Sequence, residues 1–202
     1  RHGIARIYTD VDALINDPEV DAVYIATPPD SHHAYSLKVA AAGKHCCVEK
    51  PMALNAGQSR EMQQAFADAG LHLFVSYYRR SLPRFAQVRQ WLAQGRVGEV
   101  RHLSWTLTKT PSAADLDGSA NWRTDPSVAG GGYFADLASH GFDLFQYLLG
   151  DIVEVAGFTA RQAGLYAAED AVSASWRFAS GALGMGCWSF VADRREDRVE
   201  II

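Results

Sequence analysis

In the stretch GGGYFADLASHGFDLFQYLLG, residues 130–150, three glycines precede a run whose only acidic or basic side chains are Asp136, His140 and Asp143. Two carboxylates and an imidazole spaced four and three residues apart are group types suited to proton transfer. An imidazole takes up and returns a proton near its ordinary pKa of about 6.5, and a carboxylate one turn away orients it or grips a hydroxyl. On a helix turning about 100° per residue, Asp136, His140, Asp143 and Tyr147 fall within an arc of about 60°, with Phe134, Leu137, Leu144, Phe145 and Leu148 on the far side. Such a stripe has two readings. It is either a solvated face on which His140 and Asp143 pair, or a site, and the glycine triplet favours the second because it lets a backbone approach a ligand closely. Two acids and one histidine on a single helix are a thin ligand set, so no metal is expected.

A second group of polar residues closes two short apolar runs, ATPPDSHH at 26–33 and CVEKP at 47–51. Alone, each is ordinary: a Glu–Lys pair usually stays solvated, and Asp30 or Ser31 reads as a helix cap. Their importance comes from the elements that carry them. IARIYTD (4–10), DAVYIATPP (21–29), HCCVEKP (45–51) and LHLFVSYY (71–78) read as strands. The intervening DVDALINDPEV (10–20), DSHHAYSLKVAAAGK (30–44, with Gly43 as its stop) and NAGQSREMQQAFADAG (55–70) read as helices. This alternation predicts a parallel sheet of βαβ units, whose ligands gather at the carboxyl ends of the strands. Thr27, Pro28, Glu49 and Lys50 then share one edge.

Beyond residue 80 the pattern changes. LPRFAQVRQWLAQGRVGE (82–99) is an amphipathic helix, VRHLSWTLTK (100–109) alternates as a half-exposed strand, and 134–149 is the one strong helix ahead of several strand-like runs in 152–202. The expected architecture is an α/β Rossmann-type parallel sheet in residues 1–80, followed in residues 81–202 by an α+β domain with a mostly antiparallel open sheet.

The chain has 202 residues, 48% hydrophobic and 21% charged, which is ordinary globular usage. A net charge of −4 argues against a nucleic-acid partner and for a small molecule. Three cysteines, two of them adjacent, form no CxxC pair, which suits a reducing compartment, and a cytoplasmic protein with no membrane span is expected. The chain opens without Met and stops inside a β-rich run, as an excerpt of a longer protein would.

Taken in order, DAVYIATPPDSH, AAAGKHCCVEKPMAL and GGGYFADLASHGFD resemble the Gfo/Idh/MocA family, the glucose-fructose oxidoreductase and inositol dehydrogenase type of nicotinamide-dependent enzyme. The likeness extends over nearly the whole chain, including SYYRRSLP at 76–83 and NWRTDP at 121–126, and is most specific in AGKH-x3-EKP and GGG-x3-D-x3-H-x2-D. It implies hydride transfer between NAD or NADP and a secondary alcohol or ketone of a sugar, sugar acid or cyclitol. Lys50, Asp136 and His140 would form the catalytic set, with His140 as acid/base, and these three with Asp143 would contact substrate. Thr27, Pro28, His32, Glu49, Lys50, Arg79, Trp122 and Arg123 would face the cofactor, and the second-domain sheet would form a homodimer or homotetramer. Two alternatives stay on this fold: an NAD-dependent glycoside hydrolase, and a non-catalytic nucleotide-binding relative. Pro29 stands where the family commonly has Asn, which removes an amide and a backbone donor. No GxGxxG occurs, and the resemblance puts that loop, with the residue that selects NAD or NADP, upstream of Arg1.

Overall fold

The structure, a computed structural model, describes residues 3, 4 and 6–202, and the chain divides into two compact units at Ser76/Tyr77. The first unit runs α1 (Val11–Ile15), β1 (Ala22–Ile25), α2 (Pro29–Ala41), β2 (His45–Val48), α3 (Ala56–Asp68) and β3 (Leu73–Val75). The three strands form a parallel sheet in the order β1-β2-β3, with Val23 beside Cys46 and Cys47 beside Phe74. Side chains alternate along β1 and β2, so Val23, Ile25, Cys46 and Val48 turn to one face and meet Val39, Met62 and Phe66 in the unit's core. Burial pushes the Cys46 thiol up to about 11, which makes it core packing and not a nucleophile.

Local chemistry explains the helix ends. The Asp10 carboxylate accepts from the Asp12 and Ala13 amides to start α1, and Asn55 accepts from Gln58 to start α3. Neither Asp30 nor Ser31 caps α2. That helix begins one residue earlier, at Pro29, whose fixed φ suits the first helical position and whose missing N–H is needed by no helical bond. The expected strand over 4–10 is also absent among the described residues, Ala5 lying outside them. Arg6 donates to Asp17 at 2.6 Å and Tyr8 bonds the same carboxylate, so side-chain contacts to the α1–β1 loop hold this stretch instead of a ladder.

The second unit opens with a 3-10 turn (Tyr78–Ser81) and α4 (Pro83–Ala93). β4 (His102–Thr108), α5 (Ala113–Asp117), a 3-10 turn (Trp122–Thr124), α6 (Pro126–Ala129) and α7 (Tyr133–Leu149) follow. The strands β5 (Ile152–Ala160), β6 (Ala171–Phe178), β7 (Leu183–Ser189) and β8 (Glu196–Ile201) complete a five-stranded sheet ordered β5-β6-β7-β4-β8. It is antiparallel except that β4 runs parallel to β7. Leu103, Trp105 and Leu107 alternate inward along β4 and join Phe145, Trp176 and Trp188 in an aromatic core beneath α7. Gly141 lets the helix settle there, since a Cβ at that position would lie 2.3 Å from the Trp105 ring. An interior helical glycine costs about 1 kcal/mol, and here it makes room for a fully packed indole.

α5 was not anticipated, although its signal is in the sequence: Ser112 and Asp115 form a reciprocal capping box. No helix among the described residues is long and apolar enough to cross a membrane.

Two strand exits in the first unit are tied together by one side chain. His32 is fully buried, with Nδ1 2.9 Å from the Pro51 carbonyl beyond β2 and Nε2 2.8 Å from the Thr27 carbonyl beyond β1. A neutral imidazole donates to either carbonyl according to its tautomer, and an imidazolium donates to both. The ring therefore braces the chain on both sides of the strand-end edge that holds Thr27 and Lys50, whose bond to Pro51 is cis. Replacing His32 by Leu removes the donor while keeping bulk. It is expected to lower unfolding free energy by about 1–3 kcal/mol in a urea titration, whereas an unchanged midpoint would contradict the brace.

Candidate active site

The stripe read from the sequence on residues 136–147 faces the interior. His140 and Asp143 are 7% and 9% exposed, and the Asp136 side chain is 15% exposed, so this is not a solvated face. The segment that covers it begins the second unit. Tyr77 and Tyr78 meet the His140 ring edge-on, with centroids at 5.9 and 5.5 Å and planes at 80° and 76°. In such T-shaped contacts the positive edge of one ring meets the negative face of the other. Burial pushes the Tyr77 phenol above its ordinary value.

Arg80, from the same segment, grips Asp143. Its Nε lies 2.9 Å from both carboxylate oxygens and Nη2 donates to Oδ1 at 2.5 Å. The carboxylate holds the Arg80 guanidinium above its ordinary value. The other side of the cation lies against Tyr147, 5.5 Å from the ring centroid. Asp143, expected to touch substrate, thus has both oxygens committed to an arginine. At the other end of the stripe, Arg123 Nε stands 3.5 Å from Asp136 Oδ2 while its guanidinium lies over the Trp122 ring at 4.3 Å. This unit accordingly gathers Asp136, His140, Asp143, Trp122 and Arg123 on and around α7. Arg79 goes elsewhere: it lines a cavity of about 470 Å³ with Phe85, Trp105, Gly141, Leu144 and Phe145.

The glycine triplet has a different explanation from ligand approach. Gly130 ends α6 at φ +77, and a Cβ on Gly132 would lie 2.8 Å from both the Ala168 Cβ and the Glu169 carbonyl oxygen. The close neighbour is this chain's own loop.

In the first unit, Thr27, Pro28, Glu49 and Lys50 follow the carboxyl ends of β1 and β2 as expected. The Thr27 hydroxyl accepts from Ser31 at 2.6 Å, and Glu49 accepts from the Tyr24 phenol, which the carboxylate pushes above its ordinary value. His32, expected to touch the cofactor, is walled in with both nitrogens at backbone carbonyls, leaving its ring no free polar edge. Among the described residues no group of three or more His, Cys, Asp or Glu side chains has the geometry to hold a metal.

Tyr77, Tyr78, Arg80 and Glu169 were missed as candidates. SYYRR carries no periodicity that marks a site, and Arg80 meets its partner across 63 positions.

Both units match known proteins. Residues 2–77 match the family model for the oxidoreductase family with NAD-binding Rossmann fold, and residues 85–202 match the GFO/IDH/MocA C-terminal domain. Oxidoreductase P35 of Formosa agariphila is 32% identical over 202 residues, covering 100% of this chain and 62% of that protein. Inositol 2-dehydrogenase of Rhizobium meliloti is 35% identical over 141 residues, covering 70% of this chain and 40% of the relative. A solved levoglucosan dehydrogenase in complex with NADH and levoglucosan superposes with a TM-score of 0.86 at 29% identity, over 96% of this chain and 55% of that one. The chain therefore spans 62% or less of the length of these relatives. With both of its units matched in order, the chain belongs to the Gfo/Idh/MocA family of oxidoreductases.

Proposed function

We propose that the protein containing this chain is a nicotinamide-dependent dehydrogenase acting on a secondary alcohol or ketone of a sugar, sugar acid or cyclitol, with His140 as the acid/base. The observation that carries this reading is an interior imidazole, framed by two tyrosine edges, with carboxylates one turn to either side. The relatives named for levoglucosan and for inositol, both polyhydroxylated rings, support the substrate class.

The donor set at the first unit's strand edge suits a dinucleotide. The Thr27 hydroxyl and the Glu49 carboxylate are groups that pair with ribose hydroxyls, and Lys50 adds a cation at the carboxyl end of a parallel strand, where such ligands bind. When bound, the nicotinamide supplies or accepts the hydride. In the oxidation direction His140 removes the hydroxyl proton, and in reduction it returns it. Lys50 stabilises negative charge developing on the reacting oxygen. Asp136 grips a neighbouring hydroxyl, held in place by Arg123. Asp143 acts one step back, fixing the helix through Arg80.

The test is nicotinamide absorbance followed with the full-length protein across a panel of cyclitols, anhydrosugars and aldonic acids. Turnover is expected with at least one class, and His140→Ala should lower kcat by about 10²–10⁴-fold while leaving cofactor affinity within about threefold. Sugar release without an absorbance change, or a fully active His140→Ala protein, would refute the reading. The protein is further proposed to assemble as a homodimer or homotetramer through the outer face of the five-stranded sheet, where Phe158, Leu183 and Met185 are 82%, 53% and 53% exposed. Sedimentation at micromolar concentration should give two or four copies; a monomer would contradict it.

A further inference from the structure

We propose that Glu169 is a positioning residue for the helix that carries Asp136 and His140, acting as its N-terminal cap from a distant loop. As far as activity is concerned, the proposal rests on the reading above. α7 is 17 residues long and starts after Gly132, a residue with no side chain to cap it. The first amides of a helix have no partner within it, and the helix dipole makes that end positive. Glu169 supplies what is missing: its Oε1 accepts from the Gly132 amide at 3.0 Å, across 37 positions of chain.

The loop that delivers it is itself pinned by the next residue. Asp170 is fully buried, and its two oxygens accept from the Gln162 and Ala163 amides at 2.7 and 2.9 Å. Its backbone is bonded to Ala160 and Phe190. The adjacent acids thus have separate tasks, one closing the loop and one reaching the helix. The glycines complete the fit, since a Cβ on Gly131 would lie 3.2 Å from Glu169 Oε1 and one on Gly132 would collide with Ala168 and Glu169. The GGG-x3-D-x3-H spacing is then a ruler measured from a fixed end. At a rise of 1.5 Å per residue, Asp136 and His140 stand about 6 and 12 Å along the axis from the capped amide. Fraying of the first turn would displace Asp136 first, and misplacement of a reacting group by about 1 Å costs on the order of 10²-fold in rate.

The test compares Glu169→Ala with Glu169→Gln in the full-length protein, since glutamine keeps the accepting oxygen without the charge. In Glu169→Ala, amide hydrogen exchange at Gly132 and the first turn of α7 should quicken about fivefold or more. The kcat should fall about tenfold or more with the KM for the nicotinamide cofactor unchanged. Glu169→Gln should restore both to within about threefold. Unchanged exchange in Glu169→Ala overturns the cap. Faster exchange with unchanged kcat per folded molecule overturns the positioning role. Should the alanine protein fail to fold, Glu169→Gln decides, and a tenfold change in exchange or kcat in that variant overturns the proposal. If the wild-type protein shows no nicotinamide-linked turnover, the functional reading fails while the exchange measurements still decide the cap.

Discussion

A carboxylate that is 9% exposed on the inner face of a helix needs a cation, and most of this second unit can be understood from how Asp143 obtains one. An unpaired buried charge costs several kcal/mol, whereas one held by a forked guanidinium is tolerated and oriented. Arg80 is the residue that reaches it, and to do so the chain entering the unit must lie along α7. That path sets Tyr77 and Tyr78 against His140 and leaves Arg79 among Phe85, Trp105 and Leu144. One ion pair therefore places the aromatic frame of the candidate acid/base. On the opposite side of the helix, Gly141 admits Trp105, so the helix is held between a polar segment and an aromatic sheet.

The same logic separates the acids around α7 by task. Asp143 is consumed in holding the helix, Asp136 keeps a looser arginine at 3.5 Å, and Glu169 holds the helix start. A proton-transfer group works when its partners are fixed by residues that do no chemistry themselves. Here those residues come from a 3-10 turn, a loop between two strands and a second 3-10 turn, and all of them converge on α7. In the first unit His32 has a comparable duty: it spans two strand exits and fixes the backbone from which Thr27 and Lys50 project.

Much of this was legible in the residues. The alternation of apolar runs with helix-spaced segments over 21–75 marks the parallel sheet, and the 100° spacing of Asp136, His140 and Asp143 marks a single face. Whether that face is wet or buried is not a property of the spacing, because it depends on Tyr77, Tyr78 and Arg80 arriving from 63 positions away. The glycine triplet was legible as a place of close approach, but what approaches is Glu169, again remote in sequence. His32 follows the same rule. The resemblance implied that it faces the cofactor, and only the fold shows two backbone carbonyls at its nitrogens. By contrast, Ser112 and Asp115 announced α5 locally, and that signal could have been read. The stretch at 4–10 has the composition of a strand, yet its described residues pair with no described strand, and Arg6 and Tyr8 contact Asp17 instead.

That the Arg80–Asp143 ion pair holds this part of the fold is most directly tested by a double-mutant cycle. Arg80→Gln, Asp143→Asn and the double variant would be compared with the wild-type protein by urea unfolding. A committed pair predicts a coupling energy of about 1–3 kcal/mol, with the double variant more stable than the sum of the two single losses implies. Additive losses, within about 0.3 kcal/mol, would contradict it.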